Sequence, residues 1–375
     1  MRFSNLIGQQ AVATQLRSMY QHGRMPHALL LLGPEGSGKL ALAIALAQYL
    51  LCDNRKDTDA CGQCAHCQKM QHLVHPDLHF VFPVVGSKMT SDTYLAQWRA
   101  ALEDHFYRNA NDWLQYIGAE NKQGNITKEE CLAIVKKLSL KTFESQSKIM
   151  LIWLPEYLGK EGNRLLKIIE EPPENTFFIL VAQNAEQILN TILSRCQLIK
   201  VNALSDAEVI AGLEQKYPDI AAEKIASIAY RSAGNFNEAI KLAEAKENDH
   251  VALFLDWLRK AYVGNGVELV AWSEAFAKLG RENQKQFFQY ALHFLREFLQ
   301  LKLVPEKPSR LGAKELKTGK NLVKVLSVEQ VEQMVQLFTD AAYYIERNGH
   351  PKIIMLDVSI QLAKIMKRPK QKVQA

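Results

Sequence analysis

A short apolar strand that runs straight into a glycine-rich turn and then into a helix leaves few folds open. Here the residues are Leu29-Leu30-Leu31-Leu32, then Gly33-Pro34-Glu35-Gly36-Ser37-Gly38-Lys39-Leu40, then a run with helical spacing over 41–51. The pattern is G-x-x-x-x-G-K, a phosphate loop in the strand-to-helix context that it needs. Gly33, Gly36 and Gly38 let the backbone curl until its N–H groups converge on phosphate oxygens. The helix N-terminus adds partial positive charge, and Lys39 is placed to reach the terminal phosphates. The next position is anomalous: a Ser or Thr hydroxyl there would ligate Mg²⁺, and Leu40 offers no oxygen.

The rest of the first 200 residues fits such a loop. Short apolar runs recur at 28–32, 78–82, 149–153, 177–181 and 198–201, with helical spacing between them, as over 162–171. Continuous apolar strands separated by helices predict a parallel sheet covered on both faces. The acidic residues that complete a metal site should end one of the later strands. The candidate strand, Lys148-Ile149-Met150-Leu151-Ile152, runs into Trp153-Leu154-Pro155-Glu156. Neither Trp153 nor Leu154 can hold Mg²⁺ or orient a water. Two independent losses at one site predict a P-loop fold whose own hydrolysis is gone, since phosphoryl transfer rests on metal and positioning. Binding of ATP without hydrolysis stays open at this point.

From Ser205 the strand signal stops. Ser205-Asp206-Ala207-Glu208 predicts a helix start with an acidic first turn, and helical periodicity continues to about Ala245. A further helical region covers 250–375, where Phe287, Phe288, Leu292, Leu295, Phe298, Leu299 and Leu303 form one apolar face. The stretch 305–320, with its prolines, glycines and lysines, reads as an exposed connector, and Lys367-Arg368-Pro369-Lys370 as a solvated basic tail. The segment 84–122 lies between the second and third strands. Its Trp98, Phe106, Tyr107, Trp113 and Tyr116 predict a folded insertion. The expected domains are a P-loop domain over 1–202, a helical segment over 203–247 and a helical C-terminal domain over 248–375.

With 375 residues the chain has room for two or three domains of roughly 150 residues each. A formal charge of +6 is compatible with nucleic-acid contact but is weak support for it. No apolar run approaches the ~20 residues that span a bilayer, and no signal-peptide core follows Met1-Arg2-Phe3-Ser4-Asn5. These features exclude secreted, transmembrane and collagen-like classes, so a cytoplasmic location without membrane contact is expected. The six cysteines then read as thiols or metal ligands. Cys52, Cys61, Cys64 and Cys67 give C-x-x-C-x-x-C with one further cysteine upstream. Four thiolates satisfy a tetrahedral structural Zn²⁺ completely, and an iron–sulfur cluster is the rival. His66, His72, His75 and His79 lie nearby as bystanders, and Cys131 sits alone on a helical pattern as a buried or half-buried thiol.

One more motif remains. Ser194-Arg195-Cys196 follows the 177–181 strand. An arginine at the rim of such a domain can reach a neighbour's nucleotide and stabilise charge on its γ-phosphate, although on spacing alone an ordinary surface salt bridge is the plainer reading. The combination of Ile7-Gly8-Gln9, Arg24-Met25-Pro26-His27-Ala28, the phosphate loop, the four cysteines, His75-Pro76-Asp77, Leu165-Leu166-Lys167 with Glu170-Glu171-Pro172-Pro173, and Ser194-Arg195-Cys196 resembles the bacterial clamp-loader family of AAA+ proteins, on the side of its delta-prime members. The match covers 1–83 and 123–245 and is looser over 250–375, where Asn348 matches an asparagine typical of the last domain.

The resemblance implies an α/β AAA+ P-loop domain, an all-α lid and an all-α collar that joins subunits into a ring. It implies a non-hydrolysing structural subunit that lends Arg195 in trans to a neighbouring ATPase subunit. The partners implied are gamma/tau and delta subunits, the sliding clamp through the complex, and primer-template DNA held mostly by its phosphates. The ATPase members carry a loop threonine, an Asp-Glu pair and a lid arginine. Here the equivalents are Leu40, Trp153-Leu154 and Asn237, and Ala182-Gln183 replaces the usual sensor threonines. The segment 84–122 departs from the family pattern. Two other functions stay in view: an active ATPase of the gamma/tau type, and a zinc-containing DNA-binding protein outside the replisome.

Overall fold

A computed structural model describes residues 1–119, 122–244, 250–306, 309, 311, 313–347 and 349–367. The chain separates into two compact units, Met1–Glu244 and Ala245–Ala375. In the first, α1 (Gln10–Gln21) precedes β1 (Ala28–Leu32), and the phosphate loop leads into α2 (Lys39–Leu51). Every residue of α2 is buried, as expected of a helix that is apolar all round. Then follow α3 (Ala65–Gln71), β2 (Leu78–Val81), α4 (Leu95–Asp104), α5 (Ala110–Tyr116), α6 (Lys128–Ser139), β3 (Lys148–Trp153), α7 (Leu166–Glu170), β4 (Thr176–Ala182), α8 (Asn190–Leu193) and β5 (Gln197–Lys200).

The five strands form one parallel sheet in the order β2-β3-β4-β1-β5. β1 is inner, pairing Leu29 with Ile179 on one side and with Gln197 on the other. Two apolar cores cover the two faces. One is built on α2 with Leu29, Leu31 and Leu151. The other packs Cys131, Ile134 and Leu138 of α6 against Leu30, Met150 and Leu180. Alternate side chains of β1, β3 and β4 feed opposite cores, which is why these strands read as unbroken apolar runs, whereas the edge strand β5 buries only Ile199.

The sheet is followed by α9 (Asp206–Lys216), α10 (Ala222–Ser232) and α11 (Phe236–Glu244). α9 opens with a reciprocal capping box: Glu208 N–H donates to Ser205 Oγ at 3.3 Å, and Ser205 N–H donates to Glu208 Oε2 at 2.8 Å. The second unit is helical: α12 (His250–Val263), α13 (Gly266–Ala277), α14 (Arg281–Leu303), α15 (Ala313–Val325), α16 (Val328–Glu346) and α17 (Pro351–Lys367). Its core is aromatic, with Phe254 and Trp257 each in ring contact with Phe287 and Phe338, and Trp257 Nε1–H donates to Ser359 Oγ at 2.9 Å. Among the described residues no helix is long and apolar enough to cross a membrane.

Three expectations are corrected. The first concerns only its type: the stretch expected to be helical over 162–171 is helical to Glu170, as the end of a 3₁₀ stretch, Pro155–Leu165, and then the short α7. Gly159 at φ 49° and ψ −139° breaks the earlier turns, and Pro172-Pro173 stop the later ones. The connector over 305–320 is helical from Ala313, because α15 lays apolar Leu316 and Leu322 on the second core. On α14, Phe287, Phe288, Leu295 and Phe298 are buried, but Leu303 is 62% exposed where the helix outruns the core. The insertion is folded as expected, and Trp98 and Trp113 are fully buried. Asn348 and the basic residues 368–370 lie outside the described residues.

Candidate functional site

The phosphate loop has the expected backbone. Gly36 and Gly38 adopt φ +68° and +86°, a region that costs other residues strain. A Cβ at Gly33 would stand 1.9 Å from the Val201 carbonyl oxygen, so that glycine is also required for close approach. What surrounds the loop differs from a receptive nucleotide site. Lys39 is 6% exposed, and its ammonium donates to the Pro34 carbonyl at 2.5 Å and to Ser37 Oγ at 3.3 Å. Burial pushes its pKa down to about 8, with Glu156 and Glu35 opposing. Leu40 is buried in the α2 core. Trp153 is buried at the end of β3, with its ring centroid 5.0 Å from that of Trp98. The position where an acid was sought is therefore part of an aromatic core. Glu156 points its carboxylate at the backbone instead, accepting from the N–H groups of Gln183 (2.5 Å) and Asn184 (2.9 Å).

The cavity beside Lys39 measures about 20 Å³ and is lined by Leu40, Tyr107, Arg108, Trp153 and Gln183 among others. That is room for a water, whereas ligand pockets start at roughly 300 Å³. Side chains to which the sequence assigned no role here lie against the loop. A Cβ at Gly36 would meet Asn235 Oδ1 at 1.8 Å, and one at Gly38 would meet the Tyr107 ring at 3.2 Å. Beside the aromatics of this segment, Asn109-Ala110-Asn111-Asp112 has capping-box spacing, and the box forms at the start of α5.

Cys52, Cys61, Cys64 and Cys67 come together, their sulfurs all within 4.8 Å of one another. Sγ–Sγ distances of 3.9 Å for Cys61–Cys67 and for Cys52–Cys64 are close to the edge of a tetrahedron with metal–sulfur bonds of about 2.3 Å, an edge of about 3.8 Å. Cys52 caps the end of α2, Cys64 is the N-cap of α3, and Cys67 lies in its first turn, so an ion here would pin one helix to the other. Burial opposes ionisation of Cys61, yet the N–H groups of Gln63 and Cys64 and the adjoining cysteines bring its pKa down to about 6. Burial pushes the Cys52 and Cys67 thiols up. The donor set and spacing fit a tetrahedral metal.

Of the nearby histidines, His66 and His75 are occupied with one another. Asp77 N–H donates to His75 Nδ1 at 3.1 Å, His75 Nε2 lies 2.7 Å from His66 Nδ1, and His66 Nε2 lies 3.3 Å from Asp53. His66, His75 and Glu144 converge as a second set of donors, but Glu144 already pairs with Lys69 at 2.5 Å. In the same motif the Asp77 carboxylate accepts from the N–H groups of Phe143, Glu144 and Ser145 at 2.6–2.9 Å.

Arg195 follows α8 at the surface. Its Nε and Nη2 both reach Glu170 Oε2 at 2.8 Å, and Nη1 donates to the Thr191 carbonyl at 2.9 Å. Glu170 ends α7, so the paired acidic residues before Pro172 and the Ser194-Arg195-Cys196 motif meet in space. Cys196 is half-buried, and burial raises its pKa to about 11; Cys131 is fully buried on α6.

A phosphate loop on a parallel sheet of order 2-3-4-1-5, followed by a three-helix segment, defines an AAA+ module. The profile of the family described as "DNA polymerase III, delta subunit" matches residues 8–205, more than half of the chain. The chain belongs to that family. Similar curated proteins include the DNA polymerase III gamma subunit of Buchnera aphidicola subsp. Acyrthosiphon pisum, 27% identical over 64% of this chain and 58% of that one. The delta' subunit of Escherichia coli is 29% identical over 49% of this chain and 45% of its own, and that of Bacillus subtilis 25% identical over 64% and 60%. The chain spans about half the length of the curated relatives it matches.

Proposed function

We propose that this chain is a non-hydrolysing structural subunit of a bacterial replicative clamp loader, of the delta-prime type. It serves a neighbouring ATPase subunit rather than running a reaction of its own. The observation that carries the reading is the phosphate loop itself: Leu40 and Trp153 are buried apolar side chains where metal-side oxygens are needed, and the space beside Lys39 holds about 20 Å³. The role in the assembly is to present Arg195 to the neighbour's nucleotide, where a planar guanidinium stabilises charge on a γ-phosphate. Glu170 holds that guanidinium at the rim. Its partners are gamma/tau and delta subunits, with the sliding clamp and primer-template DNA reached through the complex. The four cysteines hold a structural Zn²⁺, which supplies a fixed tetrahedral crosslink and no chemistry.

The test is reconstitution of the loader with Arg195→Ala. The Arg195–Glu170 pair is exposed and of a kind worth about 0–1 kcal/mol, so the variant folds with a stability close to the parent. ATP turnover of the reconstituted complex should fall by at least tenfold, and unchanged turnover would remove the trans-arginine role. The matches to gamma subunits favour one second reading, an ATPase active in its own right. Mg²⁺-dependent turnover by the isolated chain would establish it.

A further inference from the structure

The insertion between β2 and β3 lies outside every role given so far. It touches three things at once. Its base is the stack of Phe82 on Trp98, 4.3 Å between centroids, with Trp98 against Trp153. Tyr107 then covers the phosphate loop at Gly38 and packs on Phe236 of α11, with ring centroids 4.8 Å apart. Asn109 Nδ2 donates to Glu35 Oε1 of the phosphate loop at 2.8 Å, and the same oxygen accepts from Asn235 at 3.3 Å. Three residues further on, the Asp112 carboxylate accepts from Asn237 Nδ2 at 2.5 Å and from the Lys241 ammonium at 2.6 Å, both on α11. The carboxylate is mostly buried, 12% exposed.

We infer that the 84–122 insertion is a built-in occupant of the nucleotide cleft, which clasps the α9–α11 segment onto the phosphate loop without a ligand. Asp112 holds α11 through Asn237 and Lys241, Asn109 holds the loop through Glu35, and Tyr107 packs over Gly38. A partly buried, hydrogen-bonded ion pair is costly to break from one side, and removing Lys241 leaves the mostly buried Asp112 carboxylate without its ammonium. The segment is therefore held in one position at all times, independent of ATP. This inference stands whether or not Arg195 acts in trans.

Hydrogen exchange on the full-length chain tests it. Asp112→Ala should speed exchange of the slowest α9–α11 amides by roughly tenfold or more, with β1, β3 and β4 unchanged. Lys241→Met, which removes the charge from the other side and keeps the packing, should do the same, and the double variant should add little to either. Parent-like exchange in Lys241→Met would overturn the clasp, as would a rise spread equally over the strands. A fluorescent ATP analogue gives an independent arm. The parent should not bind it, or should bind it only with loss of α5 protection, and binding with α5 still protected would contradict the inference.

Discussion

Asp77 shows how a single carboxylate can organise a motif. Burial opposes its ionisation, but the N–H groups of Phe143, Ser145 and Glu144, with His75, hold it below the ordinary carboxylate range. A depressed pKa contributes stability that is present above the unfolded value and is lost as pH falls through the folded one, so this contribution fades from about pH 4 downward. Asp77→Ala leaves backbone donors unpaired under Phe143, and a loss of about 3 kcal/mol in urea denaturation at pH 7 is expected. The same variant should lose less further stability than the parent between pH 5 and pH 3. Leu40 makes the opposite case, a residue whose chemistry lies in what it lacks. Leu40→Thr returns a hydroxyl to the loop but buries it in the α2 core. It should cost about 1–3 kcal/mol and yield no ATP turnover, because Trp153 still stands where an acid is needed. A phosphate-release assay with Mg²⁺ checks the second half.

Elements were legible where one force dominated. Each of the five strands lies within a residue or two of its apolar run, and β1, β3 and β4 match best because burial on both faces demands a continuous pattern. The start of α9 was legible because Ser205 and Glu208 satisfy each other locally. α15 was misread because glycine and proline mark breaks but do not say on which side of the break a core will enforce a helix. The cysteine spacing gave the cluster, since C-x-x-C-x-x-C brings its sulfurs together almost by itself. The clasp was illegible because its contacts form only through tertiary structure: Asn109 meets Glu35, Lys241 meets Asp112, and Asn235 meets Glu35 from 200 positions away. At this scale the metal is the test. Elemental analysis should return one zinc per chain, and iron with visible absorption would reverse the assignment. Chelation under reducing conditions should release α3 to fast exchange while β1 and β3 stay protected, because the sulfurs tie α3 to the end of α2.

At the scale of the whole chain, the first unit carries every site residue discussed here, and the second is a helical body with an aromatic core of its own. The phosphate loop has kept its glycines and Lys39, while the surrounding space has been taken over by tryptophan, tyrosine and asparagine side chains. The most direct measurement is steady-state ATP turnover by the purified full-length chain alone, with Mg²⁺, beside its Lys39→Ala variant. The account predicts that the two are indistinguishable from buffer. Turnover by the parent that Lys39→Ala abolishes would contradict it.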